Sequence, residues 1–165
     1  MWYGLSIRDT DAELAELLDK IAQRYLGKRA HAEKMSGVKR GVRIVRDSEE
    51  FWNIVNNSSK PVFVVFTTPY CSACEMYKPF VEEVAKLLGD VIEFVEVDAY
   101  SAPEPAWELG VMSTPTTILF YKGRPVDGFM GVADVPGILE FLAEVLADLE
   151  PEVARRAREL LERLG

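Results

Sequence analysis

The chain has 165 residues, 48% of them apolar and 28% charged, with a formal net charge of −8 and a mean hydropathy near zero. That length buries the core of one domain with appendages, and the acidic surplus argues against nucleic acid as a partner. No window is long and uncharged enough to cross a bilayer, and no basic start leads into an apolar run, so the expectation is a cytoplasmic protein with no membrane partner.

Residues 10–26 have helical periodicity. Thr10 with Glu13 reads as a capping box, and Leu14, Leu17, Leu18, Ile21 and Tyr25 fall along one face, with Gly27 as the stop. Lys28 to Arg40 is basic and weakly periodic, which describes a solvated connector, and its lone His31 has no companions for a ligand set. Val42 and Ile44 alternate as in a short strand. Asp47 with Glu50 then caps a helix carrying Phe51, Trp52, Ile54 and Val55, and Asn56-Asn57-Ser58-Ser59 reads as a loop.

Val62 to Phe66 is apolar on both faces and β-branched, the pattern of a fully buried strand. Thr67, Thr68 and Pro69 end it, and Cys71-Ser72-Ala73-Cys74 opens a long helix through Met76, Phe80, Val84, Leu87 and Leu88 to Gly89-Asp90. Strand, loop and helix start place Cys71 where unpaired backbone N–H groups and the positive end of the helix dipole converge, which favours the thiolate. Two intervening residues let one sulfur reach the other, so a small reversible disulfide can form. These are the only cysteines in the chain. Pro79 should kink the helix, because it removes a backbone bond one turn back.

Val91 to Val97 reads as a strand closing at Asp98. Ser101 and Glu104 read as a capping box over a short helix through Trp107 and Leu109 to Gly110. Thr116 to Tyr121 is a strand, Lys122-Gly123 a tight turn, and Val126 to Met130 the hairpin partner. Asp134 caps a helix from Val135 to Leu149, and Pro151 starts a last one bearing Val153, Ala157, Leu160, Leu161 and Leu164. Strands joined through helices are expected to be parallel with right-handed crossovers, the final hairpin adding an antiparallel edge. The class is α/β with helices on both faces, and the cysteines stand at the carboxyl end of a central strand, where open sheets of this class keep their sites.

Together these residues resemble the thioredoxin superfamily: the strand V-F-V-V-F, then C-S-A-C, Pro79 in the following helix, the later M-S-T-P-T-T-I-L-F-Y-K-G, and Gly131 beyond the hairpin. The resemblance implies a thioredoxin-like fold with a central mixed β-sheet over residues 42–149. It leaves residues 1–41 as an N-terminal helical extension and linker, and 150–165 as an extra C-terminal helix. The activity it implies is thiol–disulfide oxidoreduction, most simply the reduction of protein disulfides, with Cys71 as the attacking thiol and Cys74 as the resolving thiol. Pro115 would follow a cis peptide bond and face the pair. The Thr114 backbone would pair with an extended substrate, Gly131 would keep the neighbouring surface low, and Tyr70 would complete the substrate-binding set. The implied partners are disulfide-bonded proteins and a reductase that recharges the pair; no cofactor beyond the disulfide and no metal is implied.

This chain departs from thioredoxins proper in several places. Ser72-Ala73 replaces Gly-Pro between the cysteines. Val65 stands where they carry a buried aspartate, six residues before the first cysteine, and Phe94 stands in place of the accompanying lysine. Glu75 follows Cys74 where many of them have lysine, and a carboxylate there should oppose thiolate formation. Thr68-Pro69-Tyr70 is similar to glutaredoxin-like sites, but there Pro-Tyr lies between the cysteines, so glutathione use does not carry over. The residues leave three rival readings. One C-x-x-C supplies half of a tetrahedral zinc shell, and His31 alone does not complete it. A non-catalytic interaction module would not need both cysteines with Thr114-Pro115. An oxidase or isomerase differs from a reductase only in redox potential, which a reducing compartment sets against.

Overall fold

The computed structural model describes residues 41–165 together with Glu16, Leu17 and Lys20. The chain divides into two units, Met1–Lys39 and Arg40–Gly165. In the first, Glu16, Leu17 and Lys20 are helical and exposed, and Lys20 Nζ lies 3.3 Å from Glu16. Leu17, expected on the apolar face of its helix, is 54% exposed. The Thr10–Glu13 capping box, the other apolar positions of that helix, the basic connector and His31 lie outside the described residues.

In the second unit the elements run β1 (Val42–Val45), α1 (Ser48–Asn57), β2 (Val62–Thr67), α2 (Ser72–Leu88), β3 (Glu93–Asp98), α3 (Pro103–Glu108), β4 (Thr116–Tyr121), β5 (Arg124–Met130), α4 (Val135–Val145) and α5 (Pro151–Leu164). The five strands form one mixed sheet in the order β1-β3-β2-β4-β5. Strand β2 is buried along its whole length, as its unbroken apolar run requires. Its side chains alternate between two cores. Phe63 and Val65 join Tyr77, Val81, Leu88 and Phe94 under α2 and α4. Val62, Val64 and Phe66 join Phe51, Val55, Val97 and Ala106 under α1 and α3. Each fully buried aromatic or branched side chain contributes about 1.5–3 kcal/mol relative to exposure, so the doubly buried strand is the anchor of the fold.

Strand β3 runs parallel to both β1 and β2, but β4 runs antiparallel to β2. This corrects the expectation that every helix-linked strand would be parallel. The reason is length. Helix α3 has six residues and spans about 9 Å, whereas the six-residue strand it would have to retrace is about 20 Å long. The chain therefore re-enters the sheet at the end where it left, and β4 starts beside the carboxyl end of β2. That turn brings Thr114 and Pro115 to the cysteines.

Several boundaries also move. Asn56 and Asn57 belong to α1, where the Asn57 side chain donates to the Asn53 carbonyl at 2.9 Å. Asp47 is the N-cap of α1 but accepts from the Glu49 N–H. Strand β3 starts at Glu93 because the amides of Val91 and Ile92 both donate to the Leu88 carbonyl, at 3.0 and 2.9 Å, in ending α2. The Ser101–Glu104 capping box does not form. Ala102 is the N-cap of α3, and the Ser101 hydroxyl donates to Asp98 at 2.9 Å instead. Helix α2 is a single element across Pro79, whose ring is exposed. Helix α4 ends at Val145 and not Leu149, with the Leu146 amide donating to Leu142.

Helix α5 packs its Val153, Ala154 and Ala157 into the core shared by α2 and α4. Arg156 fixes it further, donating to both Asp90 oxygens at 2.6 and 2.8 Å and to the Leu87 carbonyl at 2.9 Å. The hairpin turn uses positive φ at Lys122 (52°) and Gly123 (81°), which matches the twist of the flanking strands. On β5, a Cβ at Gly128 would lie 2.4 Å from the Thr117 carbonyl oxygen, so only glycine lets the two strands approach there. The two outer strands of the sheet are β1 and β5.

Candidate active site

The end of β2 is tied to its neighbour through Ala99, whose amide donates to the Thr67 carbonyl at 2.8 Å. Beyond it the chain turns through Thr68, Pro69 and Tyr70. Tyr70 sits in the left-handed region at φ 60°, a conformation that costs a non-glycine residue on the order of 1 kcal/mol, and its side chain is fully exposed. Cys71 is then the N-cap of α2. Its Sγ takes the role usually given to a serine or aspartate oxygen and accepts the Cys74 N–H at 3.1 Å.

Cys71 and Cys74 are joined as a disulfide, with their Cα atoms 5.2 Å apart. Cys71 is half-buried, whereas Cys74, one turn into the helix, is 2% exposed. The Thr114–Pro115 bond is cis, Pro115 is buried, and Thr114 lies against the cysteines. Its carbonyl oxygen is 3.7 Å from Cys71 Sγ and its hydroxyl donates to that sulfur at 3.6 Å. Gly131 joins the group through its amide, which donates to the Pro115 carbonyl at 2.9 Å. A Cβ at Gly131 would meet nothing within 4 Å; the position favours glycine because its φ is +91°. Tyr70, Cys71, Cys74, Thr114, Pro115 and Gly131 thus all lie at one end of the sheet.

The surrounding charges are displaced from where thioredoxins proper hold them. Val65 and Phe94 are buried in the apolar core, so no carboxylate stands at position 65. In the β2–β3 register Val65 faces Glu96, whose carboxyl is raised above the ordinary range by burial, against the opposing pull of Lys78. Lys78 Nζ is 3.2 Å from Glu75 and 4.0 Å from Glu96, and its hydrogen bond to Glu75 raises it. Glu75 therefore has a cation beside it, which offsets the charge expected to act on Cys71. Deeper in, the Tyr77 and Thr117 hydroxyls bond each other at 2.8 Å, tying α2 to β4 two residues after Pro115. Burial pushes the Tyr77 phenol far above its ordinary value, so it stays neutral.

A shallow groove of about 230 Å³ is lined by Thr68, Trp107, Val111, Met112 and Thr114 among others, so it shares Thr114 with the surroundings of Cys71. Trp107 and Met112 are 82% and 92% exposed, and Met130, also exposed, accepts a hydrogen bond from the Ser113 hydroxyl. The sequence placed Thr68, Trp107 and Met112 in the loop before the cysteines, the short helix and the M-S-T-P motif, but gave none of them a part in the site. Trp107 carried a legible signal, a large aromatic in a helix too short to bury all its faces; the bond of Thr68 to Thr114 carried none, because the two are 46 positions apart.

The Thioredoxin family model matches residues 42–144. This chain belongs to the thioredoxin family. It is 36% identical over 100 residues to a thioredoxin of Mycolicibacterium smegmatis, covering 59% of this chain and 89% of that protein. It is 35% identical over 109 residues to a bifunctional thioredoxin reductase/thioredoxin of Mycobacterium leprae; the match covers 66% of this chain but only 24% of that protein's length. Among solved structures it is similar in fold to a thioredoxin of Malassezia sympodialis, with a TM-score of 0.55, 23% identity, and 73% and 94% of the two chains covered. A thioredoxin of Nicotiana alata gives a TM-score of 0.58 at 22% identity, covering 64% and 92%. With the family's fold and a cysteine pair at disulfide distance, this thioredoxin-family protein is a thiol–disulfide oxidoreductase.

Proposed function

We propose that the protein reduces disulfides in other proteins, with Cys71 as the attacking thiol and Cys74 as the resolving thiol. The observation that carries the assignment is the asymmetry of the pair. Cys71 Sγ is half-buried at a helix N-terminus and accepts the Cys74 N–H at 3.1 Å, while Cys74 is buried in the first turn. Backbone donors and the helix dipole stabilise a thiolate on Cys71, and burial keeps Cys74 a thiol until it is needed.

In the reaction, the Cys71 thiolate attacks one sulfur of a substrate disulfide. A Cys71–substrate mixed disulfide forms, and the other substrate sulfur leaves as a thiolate. Cys74 then loses its proton and attacks Cys71 Sγ, closing the Cys71–Cys74 disulfide and releasing the second substrate thiol. The substrate gains two electrons and the protein loses two. With Val65 and Phe94 in place of a buried acid and lysine, the departing substrate thiolate takes the Cys74 proton, relayed by water. Tyr70, Thr114, Pro115 and Gly131 form the docking ledge, with the groove at Trp107 and Met112 taking an apolar substrate side chain. The disulfide is the redox group, and the reading calls on no further cofactor. A separate reductase restores the dithiol, in the reducing setting of a cytoplasm.

The test is a pair of variants with a disulfide-bonded protein substrate. Cys74→Ser is expected to accumulate mixed disulfides through Cys71, and Cys71→Ser to form none. Turnover by Cys74→Ser at the parent rate, or trapping through Cys74 alone, overturns the assignment. A measured potential for the pair near −270 mV supports reduction, and one near −120 mV makes the protein an oxidant.

A further inference from the structure

The Cys71 sulfur has a second donor besides the Cys74 amide, and that donor is itself held in place. The Thr114 hydroxyl is 3.6 Å from Cys71 Sγ and 2.9 Å from the Thr68 hydroxyl. A hydroxyl has one proton to give and two lone pairs to receive with. A thiolate has none to give, so when Cys71 is ionised the Thr114 proton points to the sulfur. The Thr114 oxygen is then the acceptor in the pair with Thr68, and Thr68 must donate. Only this direction satisfies both contacts at once.

We propose that Thr68 is a positioning residue that turns the Thr114 hydroxyl onto the Cys71 thiolate, making a hydroxyl relay that sets how readily the attacking sulfur ionises. The inference rests on the reading of Cys71 as the attacking thiol. A hydrogen bond to the charged form stabilises it, and bonds to ionised groups are about twice as strong as neutral ones. The Thr114 carbonyl works the other way: at 3.7 Å it accepts from a Cys71 thiol and offers nothing to a thiolate. The two polar groups of one residue thus favour opposite protonation states, and the orientation Thr68 imposes decides between them. Among the described residues, the ionisable groups near the pair are Cys74, Tyr70, and Glu75 with Lys78 on α2, with Glu96 of β3 reached through Lys78. Asp98 at the end of β3 is bonded to Ser101 and the Tyr100 amide. Residues 111–116 and 131–133 carry no ionisable side chain, so from the β4 side the hydroxyls are the polar control.

The experiment is thiolate absorbance against pH, with the alkylation rate, on the reduced full-length protein. Thr114→Val should raise the Cys71 pKa by about one unit, and the isosteric Thr68→Val by about half that, slowing alkylation near neutrality roughly threefold. Thr68→Ser, which keeps the hydroxyl, should restore the parent value. The double variant Thr68→Val/Thr114→Val should match Thr114→Val alone, because Thr68 acts only through Thr114. An unchanged pKa in Thr68→Val, or full additivity in the double variant, overturns the relay while leaving Cys71 as the attacking thiol. Peptide mapping separates the two readings: alkylation at Cys74 first overturns the assignment of roles and the relay with it.

Discussion

The two ends of helix α2 are both tied down by side chains, but of different kinds. At the N-terminus, the Cys71 sulfur accepts the Cys74 amide, and the hydroxyl and the carbonyl of Thr114 lie 3.6 and 3.7 Å from it. At the C-terminus, the Leu87 carbonyl accepts from Arg156, whose guanidinium also grips Asp90 through two short bonds. In dipole terms the assignments agree, an incipient anion at the positive end and a cation at the negative end. They differ in permanence. Each end has three such contacts, but those of the sulfur are 3.1–3.7 Å long and those of the guanidinium 2.6–2.9 Å; on the proposed role of Cys71, the sulfur has to give up its contacts to bond another molecule, whereas the guanidinium only has to stay.

The largest effect expected from breaking this contrast is at the N-terminal end. Cys71→Ser should lose disulfide exchange entirely in a turnover assay. In the reduced state its melting temperature should match the parent's, since serine caps helices at least as well as a thiol. Arg156→Ala should do the opposite. Loss of a partly buried bidentate pair and a carbonyl bond costs about 1–2 kcal/mol, or about 5 °C by thermal denaturation, with the exchange rate unchanged. A fall in exchange rate for Arg156→Ala would show that the two ends are coupled through the helix.

Smaller effects come from the charges beside the site. Glu75→Lys removes a carboxylate that is 71% exposed and already paired with Lys78, so alkylation of Cys71 near neutrality should quicken by no more than about twofold, and less at high salt. The smallest effect is at Glu96. Burial raises its carboxyl, and a carboxyl whose folded pKa exceeds its unfolded one favours the fold while protonated, losing that contribution as pH rises through the folded value. Glu96→Gln should therefore melt slightly higher than the parent near neutral pH and identically below about pH 4.

What could be read from the residues alone follows from how far apart the interacting groups lie in the chain. The buried strand at Val62–Phe66, the cysteines at a helix start and the hairpin at Lys122-Gly123 are local patterns, and each is where its pattern put it. The direction of β4 was misread because the pattern gives strand and helix but not the comparison of their lengths, and a six-residue α3 cannot carry the chain back. The Ser101 cap was misread because Asp98, three positions earlier, competes for the same hydroxyl. The Thr68–Thr114 and Arg156–Asp90 pairs were invisible, since they join residues 46 and 66 positions apart and depend on the finished topology. At the site, the cysteines and the Thr114–Pro115 turn were legible from their motif. The pairing of Glu75 with Lys78 is legible too, since it needs only the i, i+3 spacing on one helix.

The outer strand β5 has a consequence for how the molecule behaves in crowded solution. An uncovered strand invites another chain to extend the sheet, and proline, charge and glycine discourage it. Strand β5 carries Arg124, Pro125, Asp127 and Gly128 within seven residues, so it is a poor template for an intruding strand. The opposite margin, β1, is only four residues long, and its Arg43 and Ile44 are exposed, one on each face of the sheet.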